Sequence, residues 1–223
     1  MRVMVLIDGM NLYHSTSDLV ETGCDDSIRW LDVHSLSRSF LSMFGKDAKL
    51  ERVFYFTSKI TRTTREKREW QDDYLQALKD SGPVSVVLGH FIDKPVTCHI
   101  PECLKQYTVP VEKKTDVNIA IKIFELSYLN KCDVIVIVTG DTDLLDAIRL
   151  AKALFGKDGP SPHKVKYCCV FPYKRYNIEL ANNADFKKEL KQDDYLKHPL
   201  PARVVAPPPP PAPKKKDWKK WRR

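Results

Sequence analysis

Residues 134–143 read VIVIVTGDTD, five β-branched aliphatic residues running straight into Thr-Gly and a pair of aspartates. Val and Ile fit a pleated backbone, and the absence of any apolar–polar alternation means that both faces of the strand must be covered. That is the signature of a strand buried between two helical layers. The flanks agree. Val117, Ile121, Phe124 and Leu129 recur at helical spacing before the strand, and Leu144–Leu154 is helical after it.

The same alternation extends outward in both directions. Val3–Ile7 opens the chain as a strand, followed by a polar turn and a helix-like segment around Val33–Phe44. Arg52–Phe56 (RVFYF) is a second strand, Thr64–Lys79 a long charged helix, Val84–Leu88 a third strand and Val165–Phe171 a fifth. Strands separated by helices pair in parallel through right-handed crossovers. The expectation is a three-layer α/β sandwich around a mainly parallel sheet of five or more strands. His90–Glu112, with three prolines and two cysteines, is expected to be a long loop or a hairpin insertion. HPLPARVVAPPPPPAP (198–213) is a proline-rich linker of polyproline II type, and KKKDWKKWRR (214–223) a basic aromatic tail. The folded domain is therefore expected over residues 1–197.

The formal net charge is +8, but residues 203–223 hold eight of the bases against the single acid Asp217. The 29 bases and 28 acids before them leave the domain nearly neutral. No apolar run approaches the ~20 residues that span a bilayer. The start reads as a strand rather than a signal peptide, so the six cysteines are expected to be reduced thiols of a cytoplasmic protein.

Functional groups of open parallel sheets gather at the carboxyl ends of the strands. The first strand ends in Asp8-Gly9-Met10-Asn11 and the fourth in Thr139-Gly140-Asp141-Thr142-Asp143. The helix leading into the fourth strand opens with Lys113-Lys114-Thr115-Asp116. Asp8, Asp116, Asp141 and Asp143, with Asn11, are therefore expected to converge. Grouped carboxylates repel and are costly to desolvate, and a hard cation such as Mg²⁺ or Mn²⁺ relieves both problems. Such an ion can neutralise a phosphodiester and activate water, and two ions would also stabilise the leaving oxygen. Each aspartate taken alone has a second reading as a helix cap or turn residue.

At these residues the chain resembles the NYN domain family, in its LabA-like branch of the PIN-like nucleases. VLIDGMNLYHS (5–15), VVLGHF (86–91) and EKKTDVNIAIKIFELSYLNKCDVIVIVTGDTDLLDAIRLAK (112–152) carry the resemblance, which extends over about residues 1–175. It implies a PIN-like fold and a metal-dependent endoribonuclease. Asp8, Asp116, Asp141 and Asp143 correspond to metal-binding acids, Asn11 to a supporting site residue and Thr139 to a hydroxyl behind them. The family pattern often has glycine where this chain has Lys114. Asp146 is either a fifth acid or a helix-start residue favoured by the dipole.

Several other features bear on substrate and partners. Lys113 and Lys114 are candidate phosphate contacts, as are Lys174 and Arg175 in FPYKRY (171–176). Lys59, Arg62, Arg65, Lys67 and Arg68, followed by Trp70 and Tyr74, either flank an RNA groove or form an ordinary charged helix face. Trp218 and Trp221 among the tail cations suit stacking on unpaired bases. The tail is otherwise a solubilising end or a ligand for a protein partner. Cys98 and Cys103 form at most half of a four-ligand structural Zn²⁺ site, with His90, His99, His163, Cys168 or Cys169 as the remaining donors. Packed thiols are the preferred reading. The domain is also a candidate homo-oligomer.

Three functions compete. An endoribonuclease uses all the acids. A non-catalytic RNA-binding adaptor keeps them but works through the domain surface and tail. A phosphatase of the haloacid dehalogenase type needs a second aspartate two residues after the first, where this chain has Met10.

Overall fold

The computed structural model describes residues 1–61, 63–98, 100 and 102–201. Its centre is β1 (Arg2–Asp8), in which Val3, Val5 and Ile7 point into one core and Leu6 into another. That period of two, apolar on both sides, is what a strand covered on both faces requires. The run at 134–138 repeats the pattern as β6 (Val134–Val138): Val134, Val136 and Val138 face the first core, Ile135 and Ile137 the second.

The other sheet strands are β2 (Lys49–Thr57), β3 (Val84–Leu88), β7 (Lys166–Phe171) and β8 (Phe186–Glu189). They join in the order β3-β2-β1-β6-β7-β8, with every neighbouring pair parallel. The chain steps outward from β1 to β3, then returns to the opposite side of β1 as β6. The strand order therefore reverses between β1 and β6, where such sheets open a crevice at their carboxyl ends. One layer holds α1 (Gly9–Glu21), α2 (Val33–Ser39) and α3 (Arg65–Asp80); the other holds α4 (Thr115–Tyr128), α5 (Leu145–Phe155) and α6 (Ile178–Asn183). The three-layer α/β sandwich read from the sequence is the fold, with a sixth strand, β8, beyond the five identified there. Phe186 is the one apolar residue of β8, which leaves little hydropathy signal, and its two lysines suit an exposed edge.

The 90–112 region is a hairpin of β4 (His90–Thr97) and β5 (Gln106–Lys113), paired antiparallel as a separate two-stranded sheet. Cys98 and Cys103 lie in its connection, half-buried. Cys168 and Cys169 are fully buried in β7, one in each core, and burial pushes the Cys169 thiol up to about 12. Neither can join the hairpin cysteines in a zinc site, and His99 lies outside the described residues.

Two elements differ from expectation. The polar turn placed after the first strand is α1, a 13-residue helix. Its buried residues are Gly9, Leu12, Ser15, Thr16 and Leu19, so only two of the five are large apolar side chains and two are hydroxyls. Ser15 is satisfied by the Tyr195 hydroxyl at 2.5 Å, and that oxygen also accepts from the Tyr173 N–H at 2.9 Å. Burial pushes Tyr195 up to about 12. In α4 the face that docks is Ile119, Ile123 and Leu126, whereas Val117 and Ile121 are each 58% exposed. The helix has two apolar sides beside a polar stripe of Asn118, Lys122 and Glu125, so periodicity alone does not choose between them. The expected helix at Val33–Phe44 is α2 followed by a 3₁₀ turn over Phe40–Phe44.

His198–Leu200, assigned to the linker by composition, belong to the packed domain together with α7 (Gln192–Leu196). Asp32 N–H donates to His198 O, Leu200 N–H donates to Trp30 O, and Leu200 is buried. The remainder of the linker and the tail, from residue 202 on, lies outside the described residues.

Burial lowers the pKa of His198, only partly countered by Asp194 and Asp32, and its Nδ1 meets Ser35 Oγ at 2.8 Å. A histidine whose folded pKa is depressed adds stability above its unfolded value of about 6.5, and this is lost as pH falls through and below that value. The stability difference between the native chain and His198→Gln should therefore be largest above about pH 6.5 and narrow toward pH 5. Urea unfolding at a series of pH values measures it, and a pH-independent gap would contradict the assignment.

Candidate active site

Because β1 and β6 are parallel neighbours in the register Ile7↔Val138, the residues just beyond them meet across the crevice. Asp8, 5% exposed, is N-cap of α1: its Oδ1 accepts from the Asn11 N–H at 3.0 Å. Its Oδ2 accepts from the Thr139 hydroxyl at 3.0 Å. A helix N-terminus favours an anion there, which offsets part of the cost of burying it. Thr139, fully buried, uses its hydroxyl twice, since the same oxygen accepts from the Asp141 N–H at 3.1 Å. One hydroxyl thus joins Asp8 to the loop that carries Asp141.

That loop is held from a second side. Asn11 Oδ1 accepts from the Gly140 N–H at 3.1 Å, which fixes the amide orientation because a backbone donor must face the carbonyl oxygen. Asn11 is a positioning residue for the 139–143 loop. Asp141, half-buried, caps the 3₁₀ turn Thr142–Leu144 by accepting from the Asp143 N–H at 3.0 Å, and Asp143 itself is exposed. Both glycines are sterically required. A Cβ on Gly9 would lie 2.6 Å from Phe56 O and 2.7 Å from the Tyr55 ring, and one on Gly140 would lie 2.0 Å from Arg175 O.

Asp116 enters from the first turn of α4 and is half-buried. The start of α4 belongs to the same sheet edge: a Cβ on Gly89, just after β3, would lie 2.7 Å from each of Ser58 Oγ, Lys113 O and Thr115 Oγ1. Along its length α4 packs against β1, β2 and the 142–144 turn. Asp146 points away, with its side chain 95% exposed and 3.6 Å from Arg149. It is an exposed residue of the first turn of α5.

The expected phosphate contacts divide. Lys113 and Lys114 are exposed at the junction of β5 and α4, and Lys114 is the N-cap of α4 in the left-handed region at φ 76°. That conformation explains why glycine suits the position. Lys174, also left-handed at φ 59°, is exposed in the turn after β7 with its ammonium over the Tyr173 ring. Arg175 is engaged by Asp18 of α1 at 2.6 Å, a partner that sequence reasoning did not identify because it lies on the helix that was read as a turn. Of the basic stretch, Lys59 pairs with Asp72 and Arg65 with Glu69. Trp218 and Trp221 lie outside the described residues.

Among the described residues no three carboxylates, imidazoles or thiols stand close enough to hold an ion unaided. The donors at the crevice are all oxygen, which suits a hard cation. Mg²⁺ in particular keeps several waters and takes only one or two carboxylates along with substrate phosphate oxygens. The residues present fit that kind of ion and not a closed protein cage.

A doubly wound parallel sheet with acids at its switch point is the architecture of a PIN-like sandwich. The chain belongs to the NYN domain family, whose model matches residues 2–158. The family carries a nuclease-like, RNA-related function, and at that level the chain is a hydrolase. The structure is similar to that of a Vibrio parahaemolyticus protein of unknown function, with 15% identity and a TM-score of 0.51 over 86% of this chain and 94% of that one. This likeness shows the fold alone. No curated protein matches the sequence. Among the described residues no helix is long and apolar enough to cross a membrane.

Two substitutions test the geometry. Thr139→Val keeps the shape but removes the hydroxyl that bridges Asp8 Oδ2 and the Asp141 N–H, and should cost about 1–3 kcal/mol, while Thr139→Ser costs less. A thermal scan in which the valine variant melts with the native chain would disprove the bridge. Lys114→Gly should raise stability by about 0.5–1 kcal/mol, relief of left-handed strain outweighing the added unfolded-state entropy. Lys114→Ala should bring no such gain.

Proposed function

We propose that this NYN domain is a metal-dependent endoribonuclease in which one or two of the carboxylates Asp8, Asp116, Asp141 and Asp143, together with substrate phosphate oxygens and water, would hold Mg²⁺ or Mn²⁺ at the crevice between β1 and β6. The observation that carries the reading is the Asp8–Thr139–Asp141 linkage. It anchors a buried carboxylate and a half-buried one to the ends of adjacent strands, and a structural cap would need neither the burial nor the second anchor. When bound, the ion would supply charge neutralisation at the scissile phosphate and a more acidic attacking water.

The chain's own residues do the positioning. Asp8 is fixed by Asn11 N–H at one carboxylate oxygen and by Thr139 Oγ1 at the other. Asn11 and Thr139 hold the Gly140–Asp141 backbone, which keeps Asp141 at a fixed height above β6. Asp143 and Asp116, toward solvent, are placed to receive protons or orient water. Lys113, Lys114 and Lys174 offer cations on either side of the acids for the flanking phosphates, and the tail cations with Trp218 and Trp221 provide a tether to single-stranded RNA.

The adaptor reading remains the alternative, and one experiment separates the two. Purified full-length chain with labelled single-stranded RNA and Mn²⁺ should produce internal cleavage. EDTA should abolish it, and Asp141→Asn should lower the rate by at least about 10²-fold, on the scale of a lost transition-state stabiliser. RNA binding without cleavage under every metal condition, equal in both proteins and lost when residues 207–223 are deleted, would establish the adaptor instead.

A further inference from the structure

On the face of the sheet opposite α4, a cavity of about 210 Å³ lies between α1 and α3 and reaches Gly9, the residue after Asp8. We propose that it is a nucleobase subsite: one unstacked base of single-stranded RNA enters it while the adjoining phosphate lies at Asp8. The proposal rests on the nuclease reading and names the form in which that site takes its substrate.

Three observations carry it. First, the walls are aromatic. Tyr55 forms the floor, Trp70 and Tyr74 come from α3, and Tyr13 of α1 stands at the rim, 52% exposed. Flat rings on several sides are how single-stranded RNA is held, because every base offers a π-face. Second, two cations border the apolar cavity. Lys67 has no ion-pair partner among the described residues, and Arg29 is only partly engaged, by Asp26 and Ser17. Bases alone do not call for cations, but the phosphates on either side do. Third, one wall residue has an unused donor. The Trp30 indole N–H is buried and makes no hydrogen bond among the described residues. Indole nitrogen only donates, so the wall carries an unmet donor just beneath its surface, beside the Tyr74 ring that Trp30 meets edge-on at 5.8 Å.

Two further polar side chains of the wall are occupied. Gln71 accepts from Ile60 N–H and donates to Ser58 O, and the Tyr74 hydroxyl donates to Leu31 O. Apart from Arg29, Lys67 and the hydroxyls of Tyr13 and Thr57, the lining is therefore largely aromatic and aliphatic. Its volume is below the about 300–1,000 Å³ of sites for drug-sized ligands, room for a single ring system. Continuity with the acids comes through Gly9, whose Cα lies so close to Tyr55 that no side chain fits between them. A residue bound on Tyr55 is thus one glycine away from a phosphate at Asp8.

The test uses full-length protein carrying Asp141→Asn to prevent turnover, fluorescence anisotropy with end-labelled single-stranded RNA, and thermal melting as a check on folding. Trp70→Ala should weaken binding about 5- to 150-fold, the loss of one base–aromatic stack, and Trp70→Phe should restore most of it. Duplex RNA should bind both proteins alike. A series of single-stranded RNAs with one abasic position moved along the chain needs no change in the cavity: one position should cost the Trp70 protein the same factor and the Trp70→Ala protein nothing. Equal affinities of the two proteins for single-stranded RNA, or an abasic penalty that survives Trp70→Ala, would overturn the subsite. The cleavage assay reports on the nuclease reading separately. Cleavage with no Trp70 effect retains the nuclease and removes the subsite. A Trp70-dependent stack without cleavage retains base binding and removes the catalysis. Absence of RNA binding by the Trp70 protein removes both.

Discussion

The site depends on parallel pairing between β1 and β6, which places Asp8 beside Thr139 although 131 positions separate them in the chain. Parallel strands start from the same edge, so their carboxyl ends finish together and the loops that follow must share the space. Here the sharing takes the form of hydrogen bonds. Asp8 accepts from Thr139, Thr139 accepts from Asp141, and Asn11 accepts from Gly140. The first and last of these contacts would be lost if β6 paired anywhere else in the sheet, leaving only the bond within the loop. The two cores on either side hold the pairing in register, since a slip of one residue would turn Val134, Val136 and Val138 into the wrong layer.

Two glycines then set how closely neighbouring segments approach. Gly9 lets the start of α1 lie against Tyr55 and Phe56 of β2, and Gly140 lets the 172–175 turn cross over the loop after β6. In consequence three consecutive strands of the sheet, β2, β1 and β6, and the turn after β7 all contribute to one small region. The ion pair between Arg175 and Asp18 closes that region from the β7 side, joining the turn to the far end of α1. The acids sit inside a frame whose members are each fixed by more than one element. Such redundancy suits a group that must hold charge in place while water and substrate exchange.

Most of the frame was legible in the sequence because it is written in hydropathy. VIVIV could be nothing but a strand buried on both faces, and DGMN and TGDTD marked where two such strands end. What escaped was written in other chemistry. α1 buries Ser15 and Thr16; the Thr16 hydroxyl turns back to Tyr13 O, but that of Ser15 is met only once Tyr195 arrives from far along the chain, so no apolar pattern reveals the helix. In α4 both sides are aliphatic, and the choice between Ile119/Ile123 and Val117/Ile121 is made by where β1 and α5 lie. The aromatic cavity was half visible, through Trp70 and Tyr74 after a basic stretch. Its other walls, Arg29, Trp30 and Tyr55, come from separate segments and carry no shared motif.

Charge adds a further constraint on the proposed reaction. A polyanion approaching a group of aspartates is repelled unless cations compensate, and the residues before 203 carry a formal excess of only one. The fold answers locally, with Lys113 and Lys114 on the α4 side, Lys174 after β7 and Lys67 with Arg29 at the cavity. The sequence answers globally, with eight bases after residue 202. The two answers differ in what they can achieve. Tail cations raise the local concentration of any nucleic acid but fix no geometry, as a tether does. Cations and rings on the rigid domain cannot gather substrate from afar, yet in the proposed complex they would decide which phosphate faces Asp8. Affinity should therefore follow the tail and salt concentration, whereas the position of cleavage should follow the domain, and above all the spacing between the aromatic cavity and the buried carboxylate.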